Sequence, residues 1–150
     1  MVGLRYFNVY GQRQDPDGQY AAVVPKWINL MKNKRPCIIY GDGNTTRDFC
    51  FIDNAVQMNL LSAMQKKVHF HRVYNVAANK KTSLSKLHKI IAEAVIRRKD
   101  SLSEIKPIFK DFREGDIRHS LANINRAIDD LGYEPMNDLI KGMSETVEWY

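Results

Sequence analysis

Residues 37–53 read CIIYGDGNTTRDFCFID. Cys37, Ile38 and Ile39 run into Tyr40 as a short strand, and Gly41-Asp42-Gly43-Asn44 has the composition of a turn in which glycine accepts positive φ. Residues 48–52 are then predicted as a second strand. Between them the chain sets Arg47 and Asp48 against Thr46 and Phe49, where a half-buried strand would otherwise carry apolar side chains. A guanidinium taken out of water needs an anionic partner, so the Arg-Asp pair marks either a ligand or a structural clasp. Asp53 is placed to cap a helix of about twelve residues, AVQMNLLSAMQ, apolar enough to expect it well buried.

Working outward, residues 2–7 (VGLRYF) form a β-type run, and the polar loop at 11–19, GQRQDPDGQ, combines Asp-Pro and Asp-Gly turn chemistry that suits the edge of a ligand site. Val23, Val24, Trp27, Ile28 and Met31 recur at helical spacing. Downstream, VYNVAA at 73–78 is a strand running into Thr82, a candidate N-cap for a helix whose Leu84, Leu87, Ile91, Ala94 and Val95 share one face. Residues 105–109 are expected to be extended around Pro107. A helix from near Asn123 carries Ile124, Ala127, Ile128 and Leu131 and stops at Gly132, with Pro135 behind it. A last helix is expected to bury Leu139, Met143, Val147 and Tyr150. Strand, loop and helix alternate without repeat or linker, which predicts an α/β fold in one unit over residues 1–150.

Composition narrows the function classes. The chain has 150 residues, 44% of them apolar, enough for one core. Its 23 Lys+Arg against 17 Asp+Glu give a net charge of +6. The basic residues are scattered (KNKR at 32–35, KK at 66–67 and 80–81, RRK at 97–99) and read as solvated faces, which argues against nucleic acid as a partner. Cys37 and Cys50 have neither CxxC nor Cys/His spacing, so no metal site is expected and both read as buried thiols of a cytosolic protein. His69, His71 and His88 show no ligand spacing and are expected on surfaces or helix faces. No apolar run approaches the roughly 18 residues of a membrane span. Because VGLRYF begins almost at residue 1, the chain is expected to be the later part of a longer one. GxGxxG, HExxH, GxSxG and Tyr-x-x-x-Lys are all absent from the sequence.

Taken in order, LRYFNVYG, AAVVPKW, IIYGDGNTTRDFCFID, VYNVA, FREGDIRHSLANI and LGYEP resemble the C-terminal part of the extended short-chain dehydrogenase/reductases that modify nucleotide sugars. GDG followed by RDF is shared by epimerases, dehydratases and decarboxylases; REGD followed by Arg118 and His119 looks more like the 4-epimerases, with the UDP-N-acetylglucosamine 4-epimerases nearest. The resemblance implies late strands of a Rossmann-type fold near 2–7 and 73–78 joined to a substrate-binding domain. It also implies that the NAD loop and the catalytic Tyr-x-x-x-Lys belong to an N-terminal portion absent here, so no catalytic residue is expected in this chain. In such enzymes NAD takes a hydride from the sugar 4-position and returns it to the opposite face.

Carried over residue by residue, the resemblance implies a UDP-sugar site. Arg47 and Arg113 would bind the pyrophosphate, Asp116 a ribose hydroxyl, and Asn8 the sugar and phosphate. Ala22 and Val23 would offer backbone groups beside Trp27, and Ile38 and Tyr40 would flank the uracil. Ser120, where relatives confined to unacetylated hexoses tend to carry Tyr, would leave room for an N-acetyl group. The backbone of Tyr6 and the side chain of Phe7 would approach the nicotinamide of NAD, His119 would face away from the sugar, and Asp48 would hold turn amides. The alternatives within the class are a UDP-glucose 4-epimerase or a dehydratase; outside it, a stand-alone binding module, either for a UDP-sugar or for nucleic acid through the +6 charge. Homo-oligomers are among the expected states, since the family often dimerises and inner strands such as VGLRYF would leave an unpaired edge.

Overall fold

The computed structural model describes residues 1–18, 22–65, 71–97, 105–136 and 138–150. Eight strands and five helices alternate: β1 (Val2–Tyr6), β2 (Val9–Tyr10), α1 (Val23–Lys32), β3 (Ile38–Tyr40), β4 (Thr46–Asp48), β5 (Cys50–Phe51), α2 (Ile52–Met64), β6 (Arg72–Val76), β7 (Lys81–Ser83), α3 (Leu84–Ile96), β8 (Ile108–Lys110), α4 (Asn125–Leu131) and α5 (Leu139–Trp149). The strands pair two by two. β1–β6, β2–β5 and β3–β8 are parallel, and β4–β7 is antiparallel. This is the mixed α/β, Rossmann-like architecture expected, with helices connecting the parallel pairs.

Two apolar cores result. The first gathers Val24, Trp27, Ile28 and Met31 of α1, Ile39, Leu87 and Ile91 of α3, and Met143 and Val147 of α5 around Tyr10, Phe49 and Phe51. The second packs Tyr74 and Val76 of β6 with Ala55 and Met58 of α2, Ile124 and Ala127, and Tyr133. β5 is the wall between them, because successive strand residues face opposite ways: Cys50 points into the second core and Phe51 into the first. Gly142 lets α5 press on this wall, since a Cβ there would come within 2.7 Å of the Phe51 ring.

Several expectations are corrected. Residues 48–52 are not one strand. β4 pairs with β7 and β5 with β2, so the chain changes partner at Phe49, and Ile52 already begins α2. Phe51 occupies the N-cap of α2 without a side-chain cap, and Asp53 lies in the first turn, where a carboxylate still favours the helix dipole. Thr82 is a buried strand residue opposite Arg47; Ser83 is the cap of α3, its hydroxyl accepting the Lys86 N–H at 3.2 Å. α2 is only partly buried. Val56, Leu60 and Met64, at 49%, 56% and 75% exposure, form an open stripe, because the packed residues Asn54, Ala55 and Met58 all lie on the other face. Of the two places expected for His88 it takes the helix face, on the buried side of α3 at 5% exposure, its ring edge-on to Trp27 at 5.8 Å. In α5, Met143 and Val147 are buried, while Leu139 and Tyr150 are only half-buried. His69, Lys66, Lys67, Arg98 and Lys99 lie outside the described residues.

Asp48 holds the middle of this arrangement. It is fully buried, and its two carboxylate oxygens accept the backbone N–H of Ala78 (3.1 Å) and of Ala122 (3.3 Å). Burial pushes its carboxyl above the usual carboxylate range, against the opposite pull of the amides. The expected outcome of Asp48→Ala is a loss of about 2–4 kcal/mol in unfolding free energy, because one buried and one half-buried amide are left without an acceptor, with Asp48→Asn losing less. Chemical denaturation of the two variants against the parent checks this.

Candidate functional site

One cavity of about 380 Å³ opens beside the first core. Its wall is built from the end of β2, the first turns of α1, β3, β4 and the segment after β8. Asn8, Ala22, Val23, Trp27, Ile38, Tyr40, Arg47, Arg113 and Asp116 all line it. Residues up to 108 positions apart in sequence, Asn8 and Asp116, are thus brought to one concave surface.

Local structure explains why each side chain is there. Arg47 and Phe49 line the cavity while Asp48 between them turns into the protein, the period-two alternation of extended backbone. Along α1, Ala22, Val23, Lys26, Trp27 and Leu30 follow helical spacing and present one face to the cavity. Asn8 adopts a left-handed backbone (φ 37°), a conformation that costs a non-glycine residue energy and that Asn tolerates better than most. It is held there from two sides: its side-chain amide donates to the Asp48 carbonyl at 3.1 Å, and its own carbonyl accepts the Cys50 N–H at 3.3 Å. Gly41 (φ 85°) and Gly43 (φ 79°) make the turn between β3 and β4, and a Cβ on Gly41 would collide with the Phe112 ring.

The polar groups form two sets. Arg47 donates to the Asp116 carboxylate at 2.6 Å and to the Thr46 carbonyl at 2.9 Å. The ion pair is short and partly buried, its side chains 19% and 36% exposed, so it is stronger than an open surface pair. Arg47 retains further N–H donors and Asp116 its second oxygen, so both can still bind a ligand. Arg113 lies 3.8 Å above the Tyr40 ring. Its hydrogen bonding and charge hold the Tyr40 hydroxyl below the ordinary phenol range, with smaller contributions from Lys110 and Lys26. An aromatic face, two guanidiniums and a carboxylate suit an anionic ligand that also carries a flat ring.

Three expected residues lie elsewhere. Ser120 does not line the cavity; it is half-buried one step away, its N–H donating to the Thr46 carbonyl at 3.1 Å. Tyr6 is half-exposed at the end of β1, its hydroxyl donating to Asn59 at 3.0 Å. Phe7 packs on the second core, with its N–H bonded to the Val76 carbonyl at 3.0 Å. Lys26, Leu30, Phe49 and Leu84 line the cavity without having been expected. The signals for three of them are present in the sequence: Phe49 is two residues from Arg47, and Lys26 and Leu30 fall on the helical face of Val23 and Trp27. His119 meets Thr46 through its Nδ1 at 3.0 Å. Among the described residues no His, Cys, Asp and Glu cluster could hold a metal, and no helix is long and apolar enough to cross a membrane.

Comparison with known proteins agrees with the sequence resemblance. Residues 1–77 match the NAD dependent epimerase/dehydratase family. A UDP-glucose 4-epimerase of Mycolicibacterium smegmatis is 35% identical over 143 residues, covering 95% of this chain and 43% of that protein. A UDP-N-acetylglucosamine 4-epimerase from Methanobrevibacter ruminantium, solved with UDP-N-acetylmuramic acid, is 39% identical and superposes with a TM-score of 0.87 over 99% of this chain and 45% of its own. The UDP-glucuronic acid 4-epimerase of Bacillus cereus, solved with UDP-glucuronic acid and NAD, is 28% identical with a TM-score of 0.84, over 99% of this chain and 44% of its own. The chain therefore spans less than half the length of these relatives. Fold, matched segment and identity together show that the chain belongs to the NAD dependent epimerase/dehydratase family.

Proposed function

We propose that the cavity binds the nucleoside diphosphate of a UDP-sugar, and that the chain is the substrate-binding portion of an NAD-dependent UDP-N-acetylglucosamine 4-epimerase. The observation that carries the first statement is the convergence of Arg47, Arg113, Tyr40 and Asp116 on one concave surface. In this reading the uracil lies against Tyr40 and Ile38, the guanidiniums of Arg47 and Arg113 donate to the pyrophosphate, and the free oxygen of Asp116 accepts from the ribose. Asn8, pinned by the Asp48 carbonyl, presents its side-chain oxygen toward the sugar. Holding the nucleotide this firmly leaves the sugar free to turn, so remote binding energy serves the chemistry without touching the reacting carbon.

The hydride chemistry would be supplied by NAD. The residues of this chain are a poor fit for it by themselves: the sequence has no glycine-rich loop, and the Phe7 side chain is engaged in the second core. In this reading the chain holds and positions the UDP-sugar and supplies no catalytic residue. A UDP-sugar-binding module without turnover would use the same cavity, and the two readings differ only in what completes the protein.

The N-acetyl preference rests on Ser120. It lies just outside the cavity lining with its backbone fixed to Thr46 beside Arg47, and in this reading a Tyr in its place would reach toward the sugar where serine does not. A UDP-glucose 4-epimerase or a dehydratase remains the alternative within the family, and the Ser120 substitution below separates them.

Calorimetric titration of the purified chain with UDP is expected to show binding that Arg113→Ala or Arg47→Ala weakens by about 1.5–3 kcal/mol each, the scale of a lost charged hydrogen bond. Unchanged affinity in both variants would make the arginines structural. Ser120→Tyr is expected to weaken UDP-N-acetylglucosamine by about 1–3 kcal/mol while sparing UDP-glucose, because overpacking is felt only by the bulkier sugar; equal losses for the two ligands would remove the N-acetyl assignment. The chain alone is expected to interconvert no UDP-sugar, and epimer formation above a protein-free control would overturn that expectation.

A further inference from the structure

The cavity contains more positive charge than the two arginines, and it is not all compensated. Arg47 is neutralised by Asp116 at 2.6 Å. Arg113, engaged with Tyr40, and Lys26, exposed on the cavity wall, belong to none of the ion pairs among the described residues. Three cations against one carboxylate leave two positive charges on this surface, matching the two negative charges of a diphosphate esterified at both ends.

Lys26 also stands where local energetics oppose a cation. It lies in the first turn of α1, a helix with no side-chain cap and no acidic residue in that turn. The positive end of the helix dipole therefore faces a like charge, an arrangement that weakens a helix unless an anion sits nearby. Lys26 lines the same cavity as Tyr40 and Arg113, and its charge, after those of Arg113 and Lys110, also bears on the Tyr40 hydroxyl.

We propose that Lys26 is a diphosphate-binding residue, sharing the phosphoryl charge with Arg113 and making the site selective for a diphosphate over a monophosphate. This rests on the reading of the cavity as a nucleoside-diphosphate site. Arg47, already paired, contributes directed N–H donors; Lys26 and Arg113 contribute the net charge. Because the lysine is unfavourable to α1 without ligand, removing it should cost affinity but not stability, a combination that a merely structural residue does not produce.

The experiment is titration of the chain, its Lys26→Gln variant and its Lys26→Arg variant with UDP and with UMP, alongside thermal unfolding without ligand. Lys26→Gln is expected to weaken UDP by about tenfold and UMP by much less, with Tm unchanged or higher, and Lys26→Arg to restore most of the UDP affinity. UDP affinity in Lys26→Gln within about twofold of the parent overturns the proposal, and so does a loss accompanied by a lowered Tm. Failure of the parent chain to bind UDP at all would instead remove the cavity reading on which the proposal rests, so the two failures are told apart.

Discussion

The carboxylate of Asp48 is the contact on which the rest of the molecule depends. It is buried at the point where the chain leaves β4, and its two oxygens take the amides of Ala78, just beyond β6, and Ala122, just before α4. One side chain thus fastens three segments that are far apart in sequence. Neither amide has a strand partner at that point, so without Asp48 the buried N–H of Ala122 and the half-buried N–H of Ala78 would lose their acceptor. The carboxylate accepts burial because the amides satisfy it, and the position of Ala122 in turn fixes the segment that carries Asp116.

The same alternation that buries Asp48 builds the cavity. Arg47 and Phe49 face the cavity, Phe51 the first core, and Asp48 and Cys50 the opposite side. A slip of one residue in β4 would send the guanidinium into the protein and the carboxylate into the cavity, so register and binding chemistry are specified by one constraint. The Arg47–Asp116 pair ties that strand to the loop after β8, and the Thr46–Ser120 backbone bond repeats the tie one residue away.

Much of this was legible in the sequence where local rules are strong. The stop of α4 at Gly132, with its left-handed backbone, follows from glycine chemistry, and the faces of α1 and α3 follow from helical spacing. The cavity residues were legible through resemblance, not spacing, because no local pattern connects Asn8 to Arg113. Three things were not legible. The change of partner at Phe49 depends on β2 and β7, which lie far away in sequence. The exposure of α2 reads as burial because apolar content does not say what stands opposite a helix. The role of Lys26 was hidden although its place on the face of Val23 and Trp27 was legible, because a lysine on a helix face is ordinarily solvated and spacing does not say that this face lines a cavity.

The two cysteines provide a way to watch the molecule open. Cys37 belongs to the first core and Cys50 to the second, and neither is accessible to solvent. Burial pushes their thiols up to about 12 and about 11, so at neutral pH neither is a thiolate while the protein is folded. Alkylation at either sulfur therefore has to wait for the surrounding core to come apart, and its rate becomes a clock for that event. Because the chain has only two cysteines, one in each core, mass spectrometry of partly labelled protein would tell whether the halves on either side of β5 loosen together or one before the other.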